Sequence, residues 1–236
     1  DSGPTYVDWE NPENNTFHLA LEVTCQNGGD EFRPDIVIFI NGLPLSYIEV
    51  KQPNAIRDGK TAIQSEQSRT AVRFENRRFR RFNNITQLIS FSDNLPYISG
   101  QGQQKQGSFY CSNAFSKTKF NAFKEEREEE LIYSIRSLGE EEIDAVLKDV
   151  NRFALKSQPE FKTNQDPSTP CNTFISSLYQ KERLLFLLRY GLAYVEEHSK
   201  DGTIQLQKHV MRYPQFFATK AIEDAIGKGV KKGVIW

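Results

Sequence analysis

Residues 33–53, RPDIVIFINGLPLSYIEVKQP, thread Asp35, Glu49 and Lys51 through a stretch otherwise dominated by Ile, Val, Phe, Leu and Tyr. Charges are costly to bury unless they are paired, so their placement here needs a reason. DIVIFI is a continuous apolar run, the mark of a strand covered on both faces, and LSYIEVK alternates in part. Asn41-Gly42 between them reads as a turn, so the stretch is a hairpin in a sheet that carries helices. Side chains along a strand change face with period two, so the register decides whether the carboxylates meet. With a three-residue loop, Asn41 to Leu43, Ile40 pairs with Pro44, Asp35 falls opposite Glu49, and Lys51 shares their face. A two-residue Asn-Gly turn separates the two acids unless a bulge restores the register. Directly opposed Cβ atoms sit roughly 4.5–5.5 Å apart, and two carboxylates so placed can share a hard cation.

Outward from the hairpin, FHLALEVTC (17–25) reads as a strand and NGGDE as the turn after it. Residues 59–82 change to a helical pattern. ITQLISFSDN (85–94) reads as a second buried strand, and a Gly/Gln turn region leads into a further strand at 108–111. This order predicts an α/β sandwich with a mixed central sheet. After about residue 122 the chain turns helical and charged. GEEEIDAVLKDVNRFAL (139–155) and ERLLFLLRYGLAYVEE (182–197) both carry apolar residues at helical spacing, and KSQPEFKTNQDPSTP (156–170) between them has the composition of a linker. The expected division is therefore 1–160 for the sheet domain and 161–236 for a helical segment.

With 236 residues, 38% of them hydrophobic, the chain can bury a real core. A net charge of −1 gives no global pull on polyanions, so any nucleic-acid signal must come from local clusters. No apolar run approaches the roughly 20 residues of a membrane span, and no charged-then-apolar leader opens the chain, so the expected location is cytoplasmic. Cys25, Cys111 and Cys171 lie far apart without Cys-x-x-Cys pairing and read as reduced thiols. His18, His198 and His209 have no ligand-like spacing. The chain starts at Asp1 and ends in KKGVIW, which reads as a fragment of something longer.

Local basic clustering occurs in IQSEQSRTAVRFENRRFRRF (63–82). On one helix, Arg69, Arg73, Arg77 and either Arg80 or Arg81 form a row down one face, with only Glu66 and Glu75 interrupting. Such a row wants an anion, and a nucleic-acid backbone supplies one because each neutralised phosphate releases counterions. Phe74, Phe79 and Phe82 read as core anchors of the same segment.

Pro34-Asp35 followed by Glu49-Val50-Lys51 resembles the PD-(D/E)xK nuclease signature. The longer string RPDIVIFINGLPLSYIEVKQPNAIRDG (33–59) resembles the nuclease domain of the restriction (motor) subunit of type I restriction enzymes. The resemblance implies a restriction-endonuclease-like three-layer sandwich and Mg²⁺-dependent phosphodiester hydrolysis of double-stranded DNA. It also implies that Asp35, Glu49 and the Val50 carbonyl hold Mg²⁺ and that Lys51 orients or helps deprotonate the attacking water. A cation held there neutralises phosphate oxygens and generates hydroxide, and an ammonium beside two carboxylates stays charged. Glu22 is a further candidate for the acidic cluster.

In that family a Gln-x-x-x-Tyr motif lies near the scissile DNA, but here Gln64 is followed by Ser68 and Gln67 by Ala71. Gln67 is favoured for the role over Gln64, which is assigned with Arg69, Arg73, Arg77 and Arg80 to DNA binding. HVMRYPQFFATKAIEDAIGKGVKKGVIW (209–236) resembles the lead-in to the same family's helicase motor, with Gln215 where those motors read adenine. No Gly-x-x-x-x-Gly-Lys-Ser/Thr follows, so ATP is expected to act in the full-length subunit only. The implied partners are double-stranded DNA and the methyltransferase and specificity subunits. Two other classes stay open. A non-catalytic DNA-binding module explains the arginines but not Asp35, Glu49 and Lys51 together, and a repair or resolvase nuclease of the same fold explains those three but not the motor-like tail.

Overall fold

The computed structural model describes residues 6–98, 106–113, 118–128, 131, 137–198 and 202–234. Strand β1 (Phe17–Leu21) stops at Glu22, whose φ of +50° breaks the ladder, so the strand expected over 17–25 is two. A small hairpin, β2 (Cys25–Asn27) and β3 (Asp30–Phe32), then leads into β4 (Ile36–Ile40) and β5 (Leu43–Val50). A second small hairpin, β6 (Ile56–Arg57) and β7 (Lys60–Thr61), hands the chain to helix α1 (Ala62–Glu75). One 3₁₀ turn, Arg77–Phe79, joins α1 to α2 (Arg80–Ile85), and β8 (Leu88–Ser92), β9 (Ser108–Cys111) and β10 (Asn121–Ala122) complete the sheet strands. The remainder comprises α3 (Glu140–Asp149), α4 (Pro159–Asn164), α5 (Pro170–Leu178), α6 (Lys181–Tyr190), a long hairpin of β11 (Leu192–His198) and β12 (Ile204–Val210), and α7 (Tyr213–Gly227).

Six strands form one sheet in the order β1-β4-β5-β8-β9-β10. Among the described strands only β5 and β8 run parallel, joined by the α1 and α2 crossover, so the sheet is mixed as the element order predicts. Helices cover both faces. On one, Val37, Tyr47, Ile89 and Cys111 pack against Phe74 of α1 and Phe82 of α2. On the other, Ile38, Ile40, Ile48 and Leu88 share a core with Phe174 of α5, Leu184 of α6 and Phe216 of α7. The expected 160/161 division thus falls within a chain whose later helices build the second cover of the sheet.

Inside the β4–β5 hairpin the loop is two residues, not three. Asn41 and Gly42 take φ of +50° and +82°, the left-handed pair that matches the twist of a tight hairpin. Ile40 therefore pairs with Leu43 rather than Pro44. Phe39 pairs with Pro44 but Ile38 with Ser46, so Leu45 is an extra residue on β5, a bulge. The bulge restores the register: Ile36 opposes Ile48, and one step outward brings Asp35 beside Glu49.

Two helical expectations are corrected. The helix expected over 59–82 ends at Glu75, because the Asn76 side chain accepts from the Arg78 amide and starts a new turn. Arg77 and Arg80 consequently leave the line of Arg69 and Arg73. The helix over 182–197 ends at Tyr190, and LAYVEE is strand β11. Gly191 makes the break: a Cβ there would lie 2.7 Å from the Leu187 carbonyl oxygen. The Gly/Gln region at 99–105 and the terminal Ile235 and Trp236 lie outside the described residues.

Lys208 of β12 is buried, donating to the Gln87 amide oxygen with its ammonium 5.7 Å from the Tyr194 ring. Burial pushes its pKa down from 10.5 to about 8. Between those values the unfolded chain binds a proton that the folded one lacks, so this group's penalty is complete below the folded value and fades as pH rises. Lys208→Met should stabilise the fold by about 1–3 kcal/mol at neutral pH. In denaturant melts the gain should shrink toward pH 10.5, and a destabilised variant at neutral pH would show that the ammonium is a net support.

Candidate active site

Helix α1 begins with Thr61, whose hydroxyl accepts from the Gln64 amide while the Gln64 side-chain oxygen accepts from the Thr61 amide at 3.0 Å. The cap sets the helix so that Ile63, Glu66 and Thr70 face the sheet and are fully buried. Arg73, one turn past Thr70, follows on the same side.

Opposite them, β5 presents Tyr47 and Glu49 at alternate positions, and Lys51 follows just past the strand's end. The backbone amide of Lys51 donates to the Ser92 carbonyl at 2.8 Å, which fixes the end of β5 against the end of β8. Asp35 enters from the start of β4, and its Oδ2 accepts from the Val50 amide at 2.7 Å. The sheet thus brings Asp35, Glu49, Val50 and Lys51 together at one strand end.

Four of the side chains close a ring of ion pairs. Lys51 Nζ lies 2.6 Å from Glu49 Oε2 and 3.1 Å from Glu66 Oε2. Arg73 Nη1 lies 3.2 Å from Glu49 Oε1 and 3.1 Å from Glu66 Oε1. Two carboxylates are therefore bridged twice by two cations, and Arg69 adds a third cation at 2.6 Å from Glu66 Oε2. The Arg73 guanidinium also stacks 5.1 Å from the Phe32 ring centre. Glu66 has no exposure and Glu49 only 3%, so neither carboxylate is tolerable without its cations. Burial and then the Glu66 charge hold the Glu49 carboxyl above its usual range, against the pull of Lys51 and Arg73. Burial pushes the Tyr47 phenol beneath this ring strongly up.

The other expected site residues are dispersed. Gln64 is engaged in the helix cap, whereas half-buried Gln67 makes no side-chain hydrogen bond to a described residue. Arg69 is half exposed, and Arg73, read from the sequence as a phosphate contact, points inward. Arg77 and Arg80 are exposed beyond the end of α1, beside a cavity of about 300 Å³ that Asn83 and Asn113 also line. Glu22 pairs with Arg33 and Arg152, each at 3.8 Å, and its amide donates to the Asp35 carbonyl. Gln215 sits in the first turn of α7, on the opposite face of the sheet, where its Oε1 accepts from the Arg212 amide at 3.0 Å. It borders a cavity of about 620 Å³ with Lys119, Lys208 and Arg212.

Sequence reasoning missed Glu66 as a member of the site and treated it as an interruption of the arginines. The signal was its position, three residues after Ile63 and four before Thr70, on the face that α1 turns to the sheet.

Among the described residues no three His, Cys, Asp or Glu side chains stand grouped to hold a metal. The donors present, two carboxylates and main-chain carbonyls, are hard oxygens of the kind that take Mg²⁺ with water completing the shell, so the donor set fits that ion. A mixed sheet under two helical covers, with an Asp, a Glu and a Lys gathered where two strands end, defines an α/β domain of the restriction-endonuclease-like class. The family model for the type I restriction enzyme R protein N terminus matches residues 4–129, and the chain belongs to that family. No curated protein matches the chain. No described helix is long and apolar enough to cross a membrane.

Proposed function

We propose that this domain is the endonuclease of a type I restriction-modification enzyme and hydrolyses phosphodiester bonds of double-stranded DNA with Mg²⁺. The observation that supports this most directly is the gathering of Asp35, Glu49 and Lys51 on one face, through the 2.7 Å bond from the Val50 amide to Asp35 and the 2.6 Å pair of Lys51 with Glu49. Asp35, Glu49 and the Val50 carbonyl would hold the cation, which when bound supplies charge neutralisation and a nucleophilic water. Lys51, held 2.6 Å from Glu49, orients and stabilises the attacking water rather than acting as a free base. Asp35, tied to the Val50 amide, holds the two strands in register and keeps the acids adjacent.

Arg69, Arg77 and Arg80 are the phosphate contacts that position the duplex, with Gln67 and Gln64 on the helix beside them. Arg73 acts through Glu49 and Glu66. In the full-length subunit Gln215 reads the adenine of ATP, and the methyltransferase and specificity subunits complete a cytoplasmic complex.

Asp35→Asn in the full-length subunit, which keeps an oxygen for the Val50 amide, should eliminate Mg²⁺-dependent cleavage while ATP hydrolysis and melting temperature stay near wild type. Undiminished cutting would place the active site elsewhere.

A further inference from the structure

We propose that Glu66 is a positioning residue of the nuclease site, a fixed counter-charge that keeps the Lys51 ammonium in place when Glu49 is engaged by the cation. The inference rests on the nuclease reading above. Lys51 has two carboxylate partners, at 2.6 Å on Glu49 and 3.1 Å on Glu66. Glu49 cannot hold an ammonium and a divalent cation equally on the same oxygen, because the two positive charges repel. Glu66 faces no such competition. It is wholly buried on the core side of α1, and Lys51, Arg69 and Arg73 all pair with its two oxygens.

Arg73 sets the geometry of the exchange. Its Nη1 touches both carboxylates, so Glu49 and Glu66 are held close together without an uncompensated repulsion. Lys51 can then pass most of its pairing to Glu66 with little movement, and its ammonium stays at the strand end where Asp35 meets Val50. A Gln at position 66 could not do this, since a neutral amide offers an ammonium no counter-charge.

The test uses the full-length subunit in its complex, with Glu66→Gln, Lys51→Ala and the double variant Glu66→Gln/Arg73→Met. Cleavage rate and DNA affinity are measured with Mg²⁺. Labelling of Lys51 by an amine-directed reagent is followed by mass spectrometry with Mg²⁺ and no DNA, the state in which Glu49 is engaged, and again in chelator. In Glu66→Gln, cutting at saturating DNA should slow roughly a hundredfold, the cost of a misplaced catalytic group, with affinity unchanged. With Mg²⁺ present Lys51 should label severalfold faster than in wild type, and in chelator, where Glu49 still pairs it, the two rates should lie closer together. The double variant, which removes the cation along with the carboxylate, should melt closer to wild type yet still cut slowly and label fast, and it stands in if Glu66→Gln alone does not fold.

Restored cutting in the double variant would make Glu66 a neutraliser of Arg73 and overturn the proposal. So would unchanged cutting in Glu66→Gln, or lost cutting with unchanged labelling. If Lys51→Ala itself cuts at the wild-type rate, the nuclease reading fails instead, whatever the labelling shows.

Discussion

Replacing Lys51 by Ala in the full-length subunit should abolish DNA cleavage and leave ATP hydrolysis untouched. Removing one preorganised charge from a transition state costs roughly a hundred- to a thousandfold. Lys51 carries a second burden, because it bridges Glu49 and Glu66 and its loss leaves the two buried carboxylates with arginines as their remaining cations among the described residues. The defect should therefore appear in the cutting step and not in DNA affinity, which is proposed to rest on the exposed arginines. Cleavage followed on supercoiled plasmid, beside ATPase activity and far-ultraviolet circular dichroism of the same preparation, separates chemistry from fold. Wild-type cutting by this variant would exclude Lys51 from the mechanism.

Arg73→Ala should be the most destabilising single change at this site. Its side chain is 16% exposed and neutralises two carboxylates that are almost wholly buried. Breaking one member out of a buried ion-pair group costs about 3–5 kcal/mol, because the remaining charges stay desolvated. The loss should depend on pH with a defined sign. Glu49 is held above its ordinary 4.5 in the folded protein by burial and by Glu66. Just above that ordinary value the folded state binds a proton that the unfolded chain has released, so the stability this group provides is complete at lower pH and is lost as pH rises through the folded pKa. Arg73 pulls that pKa down, so the variant's Glu49 should titrate higher still. Urea unfolding in chelator should show a smaller penalty at pH 5 than at pH 7.5, and a pH-independent loss below ~1 kcal/mol would mean that the ring is solvated.

Much of this was legible in the sequence because it depends on short-range periodicity. The apolar run of β4, the Asn-Gly turn and the E-x-K at the end of β5 specify a hairpin with its charges at one end, and the string around them resembles the family to which the chain belongs. What stayed hidden depends on contacts between segments or on single-residue breaks. Arg73 sits in a regular i, i+4 row with Arg69, yet a helix has an inside, and Arg73 lies on it because α1 packs against Tyr47 and Glu49. Asn76 reads as an ordinary polar residue in a helix, but its side chain competes with the backbone and ends α1 there. LAYVEE fits a helix until Gly191, which admits no side chain beside Leu187, turns the chain into β11.

The bulged residue Leu45 acts as a phase shifter for the domain. The strand pleat repeats every two residues, so deleting Leu45 would rotate the outer half of β5 by half a period and send Glu49 and Lys51 toward α5 and α6, while Asp35 remained facing α1. Length changes here can preserve that facing only in pairs. A redesigned hairpin that is to keep both acids and Lys51 on the α1 side must therefore gain or lose residues two at a time, a parity rule imposed by one extra leucine.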